Sequence, residues 1–139
     1  MFREHLHLGP GVEVHFELGR SIVGQCGELI SRVLFHKTTA SGKRVAIVDA
    51  SMTELLRPAL YQARHAIENL SGGDKRETYI IGGTVCESSD IFARDLELPV
   101  LHRGDLVSLK SAGAYGAAMA STYNLHDLPG AVYSDRLTE

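Results

Sequence analysis

Two apolar segments, residues 29–36 and 44–48, constrain this chain most, because the polar run Thr38-Thr39-Ala40-Ser41-Gly42 separates them. The second contains Val45-Ala46-Ile47-Val48, a composition that suits a pleated, half-buried surface. Ser41-Gly42 supplies turn chemistry, so the two segments predict a β-hairpin. Tyr79-Ile80-Ile81, Leu106-Val107-Ser108-Leu109 after a Gly104-Asp105 turn, and Ala131-Val132-Tyr133 predict further short strands. Val12, Val14 and Phe16 alternate with Glu13 and His15, the period of a half-buried strand. Residues 51–56 predict a short helical turn, and Pro58 restricts Arg57 to extended backbone at an element boundary. Residues 59–70 leave helix and strand both open, and residues 71–75 form a polar loop. Short strands separated by turn signals predict a mainly β domain, a β-sandwich or Greek-key barrel with short helices.

Composition narrows the function classes. Lys and Arg number 14 against 17 Asp and Glu, a net charge of -3 with no basic stripe, so nucleic acid is not an expected partner. No apolar run is long enough to span a bilayer, so no membrane role is expected. Cys26 and Cys86 cannot build a disulfide framework and nothing resembles a signal peptide, which makes the cytoplasm the default location. His5 and His7 invite a metal, but zinc needs three or four convergent ligands and no Cys/His spacing provides them. No metal site is expected.

Two segments do not read as core. Val85-Cys86-Glu87-Ser88-Ser89-Asp90 sets a thiol, carboxylates and hydroxyls side by side, and Gly113-Ala114-Tyr115-Gly116 isolates one Tyr among small residues. Segments of this kind bury little apolar area, and they let backbone approach a ligand closely. Glu17-Leu18-Gly19-Arg20 has a similar character, with a guanidinium beside a glycine. Chemistry alone leaves two readings open for each candidate. Arg20 and Arg57 suit carboxylate or phosphate oxygens, or form surface ion pairs. Cys86 is a reactive or an inert thiol, Glu87 a ligand or a solvated acid, and Tyr61 and Tyr115 are hydroxyl donors or packing aromatics.

Five segments in order resemble the C-terminal part of the diaminopimelate decarboxylases, within the pyridoxal-phosphate family that includes ornithine and arginine decarboxylases. They are Glu17-Leu18-Gly19-Arg20-Ser21-Ile22-Val23, Val48-Asp49-Ala50-Ser51-Met52, Leu56-Arg57-Pro58-Ala59-Leu60-Tyr61, the Cys86 segment, and Gly104-Asp105-Leu106 running on to the Tyr115 segment. Leu18 stands where the family usually has Pro.

The resemblance implies the C-terminal β domain of an alanine racemase-like decarboxylase fold. Residues 1–20 would be the last barrel-type strand and linker, and residues 21–139 the β domain. The (β/α)8 barrel, with the lysine that forms a Schiff base with the cofactor, would lie outside this chain, so the chain alone is expected to be inactive. It further implies that Glu17, Gly19, Arg20 and Tyr115 contact pyridoxal 5′-phosphate, and that Arg20, Arg57, Tyr61, Glu87 and Tyr115 contact an amino-acid substrate. Cys86 would be the proton donor, across the interface of a homodimer. Glu87 implies meso-diaminopimelate as substrate, giving L-lysine and CO2. The rivals are an ornithine- or arginine-type decarboxylase domain and a non-catalytic binding or dimerisation module. Cys26, between Gln25 and Gly27, reads as structural.

Overall fold

The computed structural model describes His5, His7 and residues 9–136. Parts of the expected N-terminal linker (residues 1–4, 6 and 8) and the charged end (residues 137–139) lie outside the described residues. The strands are β1 (Leu29–Thr38), β2 (Arg44–Val48), β3 (Ile67–Asn69), β4 (Arg76–Gly82), β5 (Ile91–Pro99) and β6 (Leu106–Leu109). They form one six-stranded sheet in the order β3-β6-β1-β2-β4-β5. Only the β2–β4 pair is parallel. The edge strands β3 and β5 also approach each other, which curls the sheet into a nearly closed barrel. The mainly β expectation holds, in its barrel form.

β1 makes the curl possible. Its first residues, Leu29 to Arg32, pair with β6, and its later ones pair with β2. The register shifts between Val33 and Phe35, and such an irregularity bends a strand and lets it serve two neighbours at an angle. The predicted hairpin joins β1 to β2, with Gly42 at φ 81° and Thr39 Oγ1 accepting from the Lys43 N–H at 3.0 Å. That backbone angle is one a side chain strains to adopt, which explains the glycine.

The barrel interior is filled by Val33, Val48, Leu55, Ile81, Phe92, Leu98, Val107 and Leu109 from five strands and the loop after β2. Tyr79 is buried with them. Its hydroxyl donates to Glu77 Oε2 at 2.9 Å and accepts from the Leu101 N–H at 3.2 Å, so burial leaves no polar atom of the ring unmet. Burial is also the main reason its phenol titrates above the ordinary value.

Three local expectations need correction. Residues 12–19 form no regular element, and Val12, Val14 and Phe16 are exposed. A period-2 pattern creates a strand only when a neighbouring backbone accepts its ladder. Ala131-Val132-Tyr133 is irregular for the same reason, followed by a 3-10 turn, Ser134–Arg136. Arg57 opens the helix α1 (Arg57–Tyr61) instead of lying in extended backbone, since Pro58 falls in the first turn, where its missing N–H costs nothing. Within residues 59–70, α1 ends at left-handed Gln62 and β3 follows. β5 went unread because Arg94, Asp95 and Glu97 interrupt its apolar residues.

Ile81→Ala should test the core. It removes fully buried methylenes from β4, and a loss of about 2–5 kcal/mol is expected, read as a lower denaturant midpoint with unchanged slope.

Candidate functional site

The loop after β4 is fixed from beneath by buried polar groups. Asp90 is only 3% exposed; its Oδ1 accepts from the Met52 N–H at 2.7 Å and its Oδ2 from the Val85 N–H at 2.9 Å. Burial pushes this carboxyl up from its ordinary value, while those N–H groups and the Ser51 hydroxyl pull the other way. Ser51 Oγ accepts from the Thr84 N–H at 2.8 Å, and the Ser51 N–H donates to Glu54 Oε2 at 2.6 Å. Gly83 permits this closeness: a Cβ there would stand 2.7 Å from the Ala50 carbonyl and 2.6 Å from Ser51 Oγ. The loop thus folds against residues 50–54 and presents Cys86 and Glu87 to solvent. Glu87 Oε1 accepts from the Tyr123 hydroxyl at 2.6 Å.

Residues 51–56 turn as expected, with the Glu54 and Leu55 N–H groups donating to the Ser51 carbonyl. Leu55 is fully buried and anchors the segment, after which α1 lifts Arg57 and Tyr61 onto one face. The Arg57 guanidinium carbon lies 5.3 Å from the centre of the Tyr61 ring, a cation–π distance. Arg57 Nε is buried without a hydrogen-bond partner.

The third element follows β6. The Ala112 N–H donates to the Gly27 carbonyl at 2.8 Å and the Gly113 N–H to the Gly24 carbonyl at 3.0 Å. Gly27 and Gly113 meet back to back, and a Cβ on Gly27 would stand 2.7 Å from Gly113 Cα. Arg20 ties in from the other side, its Nη2 donating to the Ser111 carbonyl at 2.8 Å, while its Nε is buried without a partner. A Cβ on Gly19 would lie 3.9 Å from the Tyr115 hydroxyl. Tyr115 is therefore exposed beside Gly19, at the start of the short helix α2 (Gly116–Met119). Gly116 packs near Leu55, linking this loop to the base of α1.

The predicted residues thus form three groups: Gly19, Arg20 and Tyr115; Arg57 and Tyr61; Cys86 and Glu87. Among the described residues no hydrogen bond or ion pair joins one group to another. Glu17 is exposed and makes neither. Cys26 is exposed at the end of a 3-10 turn, Gly24–Cys26. Sequence reasoning missed the structural roles of Ser51, Glu54 and Asp90, and missed Tyr123 and His126 altogether. Asp90 ends the Cys86 motif and offered a signal; Tyr123 offered none, since it stands 36 residues from Glu87. Among the described residues no group of three or more His, Cys, Asp or Glu is arranged to hold a metal ion. No helix among them is long and apolar enough to cross a membrane.

The domain is a curled β-sheet that turns glycine-backed loops and paired polar side chains outward. The chain belongs to the pyridoxal-dependent decarboxylases, as their C-terminal sheet domain, whose family model matches residues 21–113. It is similar to the diaminopimelate decarboxylase of Bacteroides thetaiotaomicron, 52% identical over 95% of this chain and 34% of that protein. Among solved structures it resembles diaminopimelate decarboxylase from Helicobacter pylori complexed with L-lysine, with TM-score 0.72 and 48% identity over 78% of this chain and 26% of that one. The enzyme from M. jannaschii in co-complex with L-lysine gives TM-score 0.75 and 40% identity over 77% of this chain and 24% of that one. The chain spans about a third of the length of the curated relative from Bacteroides.

Asp90→Ala should loosen the Cys86 loop, because the Met52 and Val85 N–H groups lose their acceptor. A destabilisation of about 1–3 kcal/mol is expected, with amide exchange at Val85 to Ser89 accelerating more than in β4.

Proposed function

We propose that this chain is the C-terminal domain of a pyridoxal-phosphate-dependent decarboxylase that converts meso-diaminopimelate to L-lysine and CO2 in lysine synthesis. In this reading residues 1–20 connect to a barrel and residues 21–139 form the β domain, a division supported by the family match starting at residue 21. The activity belongs to the complete polypeptide.

One observation carries the substrate choice. The chain offers two distal-end grips of opposite sign: the Arg57–Tyr61 stack and the Tyr123-held carboxylate of Glu87. Diaminopimelate has a second carboxylate and a second ammonium to meet them. Ornithine has no second carboxylate, so Arg57 would face nothing. A guanidinium fork binds carboxylate bidentately, and the Tyr61 ring beneath it reduces the freedom lost on binding.

The residues present fit a phosphate-bearing cofactor. Gly19 leaves open the space beside the Tyr115 hydroxyl, and Arg20 keeps a buried Nε with no acceptor of its own. Glu17, Gly19, Arg20 and Tyr115 would hold pyridoxal 5′-phosphate, with Arg20 and Tyr115 also reaching the substrate. When bound, that group withdraws electrons from the substrate Cα as CO2 leaves. Cys86 supplies a proton to that carbon from its Sγ–H. Its exposure, on a loop fixed from below, suits delivery into a site completed by a second copy. Exposed Leu125 and Val132 support a homodimer, whose second copy would cover them. Two exposed, unpaired thiols suit the cytoplasm.

The complete decarboxylase carrying this domain provides the test, by CO2 release. Arg57→Ala should raise KM for meso-diaminopimelate about 10- to 100-fold, the loss of a charge-assisted hydrogen-bonded contact. Cys86→Ala should lower kcat by about 10²- to 10⁴-fold with KM little changed. Turnover of ornithine comparable to that of meso-diaminopimelate by the unaltered enzyme would reject the substrate assignment.

A further inference from the structure

We infer that Tyr123 is a specificity-determining positioning residue, which fixes Glu87 so that one carboxylate oxygen remains for the distal ammonium of the substrate. The inference rests on the reading of Glu87 given above and adds to it the residue that aims the carboxylate.

The geometry is direct. Tyr123 donates its hydroxyl proton to Glu87 Oε1 at 2.6 Å, the short distance of a charge-assisted bond. Glu87 Oε2 makes no hydrogen bond or ion pair among the described residues. The phenol is neutral, so it orients the carboxylate without cancelling its charge. A Lys or Arg in the same place would cancel it and remove the preference for a cationic ligand. The Tyr123 phenol titrates above the ordinary tyrosine value, chiefly through this hydrogen bond, with Cys86 acting in the same direction. Cys86 and Glu87 are the titratable groups that act on it.

Tyr123 can aim only if its own backbone is fixed, and the structure pins it on both sides. Before it, the Ser121 N–H donates to the Thr53 carbonyl at 2.9 Å. After it, the His126 ring lodges among Thr53 Oγ1 at 3.2 Å, Glu54 Oε1 at 3.4 Å and Thr84 Oγ1 at 3.4 Å. Between these pins the chain makes a 3-10 turn, Tyr123–Leu125, with Asn124 at φ 56° and Leu125 at φ 61°. Two successive non-glycine residues in the left-handed region are strained, and Leu125 is 96% exposed, so its own burial does not offset this. The strained turn directs the phenol toward Glu87. Thr53 and Glu54 lie on the same segment that donates to Asp90 through Met52, so a single base carries both the Glu87 loop and the turn that orients it.

The test uses the complete decarboxylase with Tyr123→Phe and Glu87→Gln, and two ligands: meso-diaminopimelate as substrate and 2-aminopimelate, which lacks the distal amine, as inhibitor. Tyr123→Phe should raise KM for meso-diaminopimelate about tenfold, with kcat within about threefold, and leave the inhibition constant of 2-aminopimelate unchanged. A turn that serves only the fold would weaken both ligands alike. In this chain without ligand, ultraviolet titration should find two tyrosines ionising late, Tyr79 and Tyr123; Tyr123→Phe leaves only one, and Glu87→Gln brings the Tyr123 phenol down toward about 10. If Glu87→Gln raises KM for meso-diaminopimelate and Tyr123→Phe does not, the role of Tyr123 is refuted while that of Glu87 stands. If Glu87→Gln leaves KM unchanged, the reading of Glu87 falls and this inference with it.

Discussion

The buried Asp90 carboxylate is the interaction on which the arrangement of this domain depends. It joins the loop after β4 to the segment after β2 by accepting the Val85 and Met52 N–H groups. Burial of a carboxylate is unfavourable, and backbone N–H groups aimed at it are one of the few environments that offset the cost. The consequence is a rigid base beneath a loop that is itself solvent-exposed. Ser51 and Glu54 extend the base, and Gly83 lets the two backbones approach without a side chain between them. Cys86 and Glu87 gain a fixed position without being buried, which their proposed roles as proton donor and ligand for a cation both need.

A second close approach does the same work for the Tyr115 loop, by different means. Here the joint is made by backbone; Gly27 and Gly113 meet at a distance only glycines tolerate, and two backbone hydrogen bonds fix the register. Arg20 then reaches the Ser111 carbonyl, so the irregular segment before β1 is fastened to the loop after β6. Glycine at these positions costs backbone entropy on folding. The return is a phenol held beside open backbone, an arrangement that a bulkier loop would fill.

The hairpin was legible because its two apolar runs and its turn agree locally, and the same holds for β4 and β6. β5 was not legible. It is an edge strand whose outward Arg94, Asp95 and Glu97 guard against further pairing, and these charges conceal the inward Phe92 and Leu98. The reverse error occurred at Val12 to Phe16 and at Ala131 to Tyr133, where a strand-like pattern forms no strand. Pattern reports what a segment could bury; pairing is decided elsewhere in the chain. The candidate site divides in the same way. Arg57 and Tyr61 are four residues apart on one helix, so their stacking follows from local geometry. The hydrogen bond between Tyr123 and Glu87 depends on two loops meeting over the Thr53-Glu54 segment, and no local spacing encodes that.

The three groups of polar side chains also bear on how a site would be assembled. Each is held by a neighbour within the domain: Arg57 on Tyr61, Glu87 on Tyr123, Arg20 on Ser111. Among the described residues each also keeps a polar atom with no hydrogen bond, the buried Nε of Arg57 and of Arg20 and the Oε2 of Glu87. Side chains meant to bind one another would have consumed those atoms within the fold. Pre-oriented groups with spare capacity and no mutual contact are what a site shared between bodies requires. Each body can then fold on its own stability, and opposite charges do not collapse onto each other before the substrate arrives. For the proposed substrate, whose distal carbon carries both signs, keeping Arg57 and Glu87 apart is a condition of binding it at all, because a direct ion pair between them would occupy both grips at once.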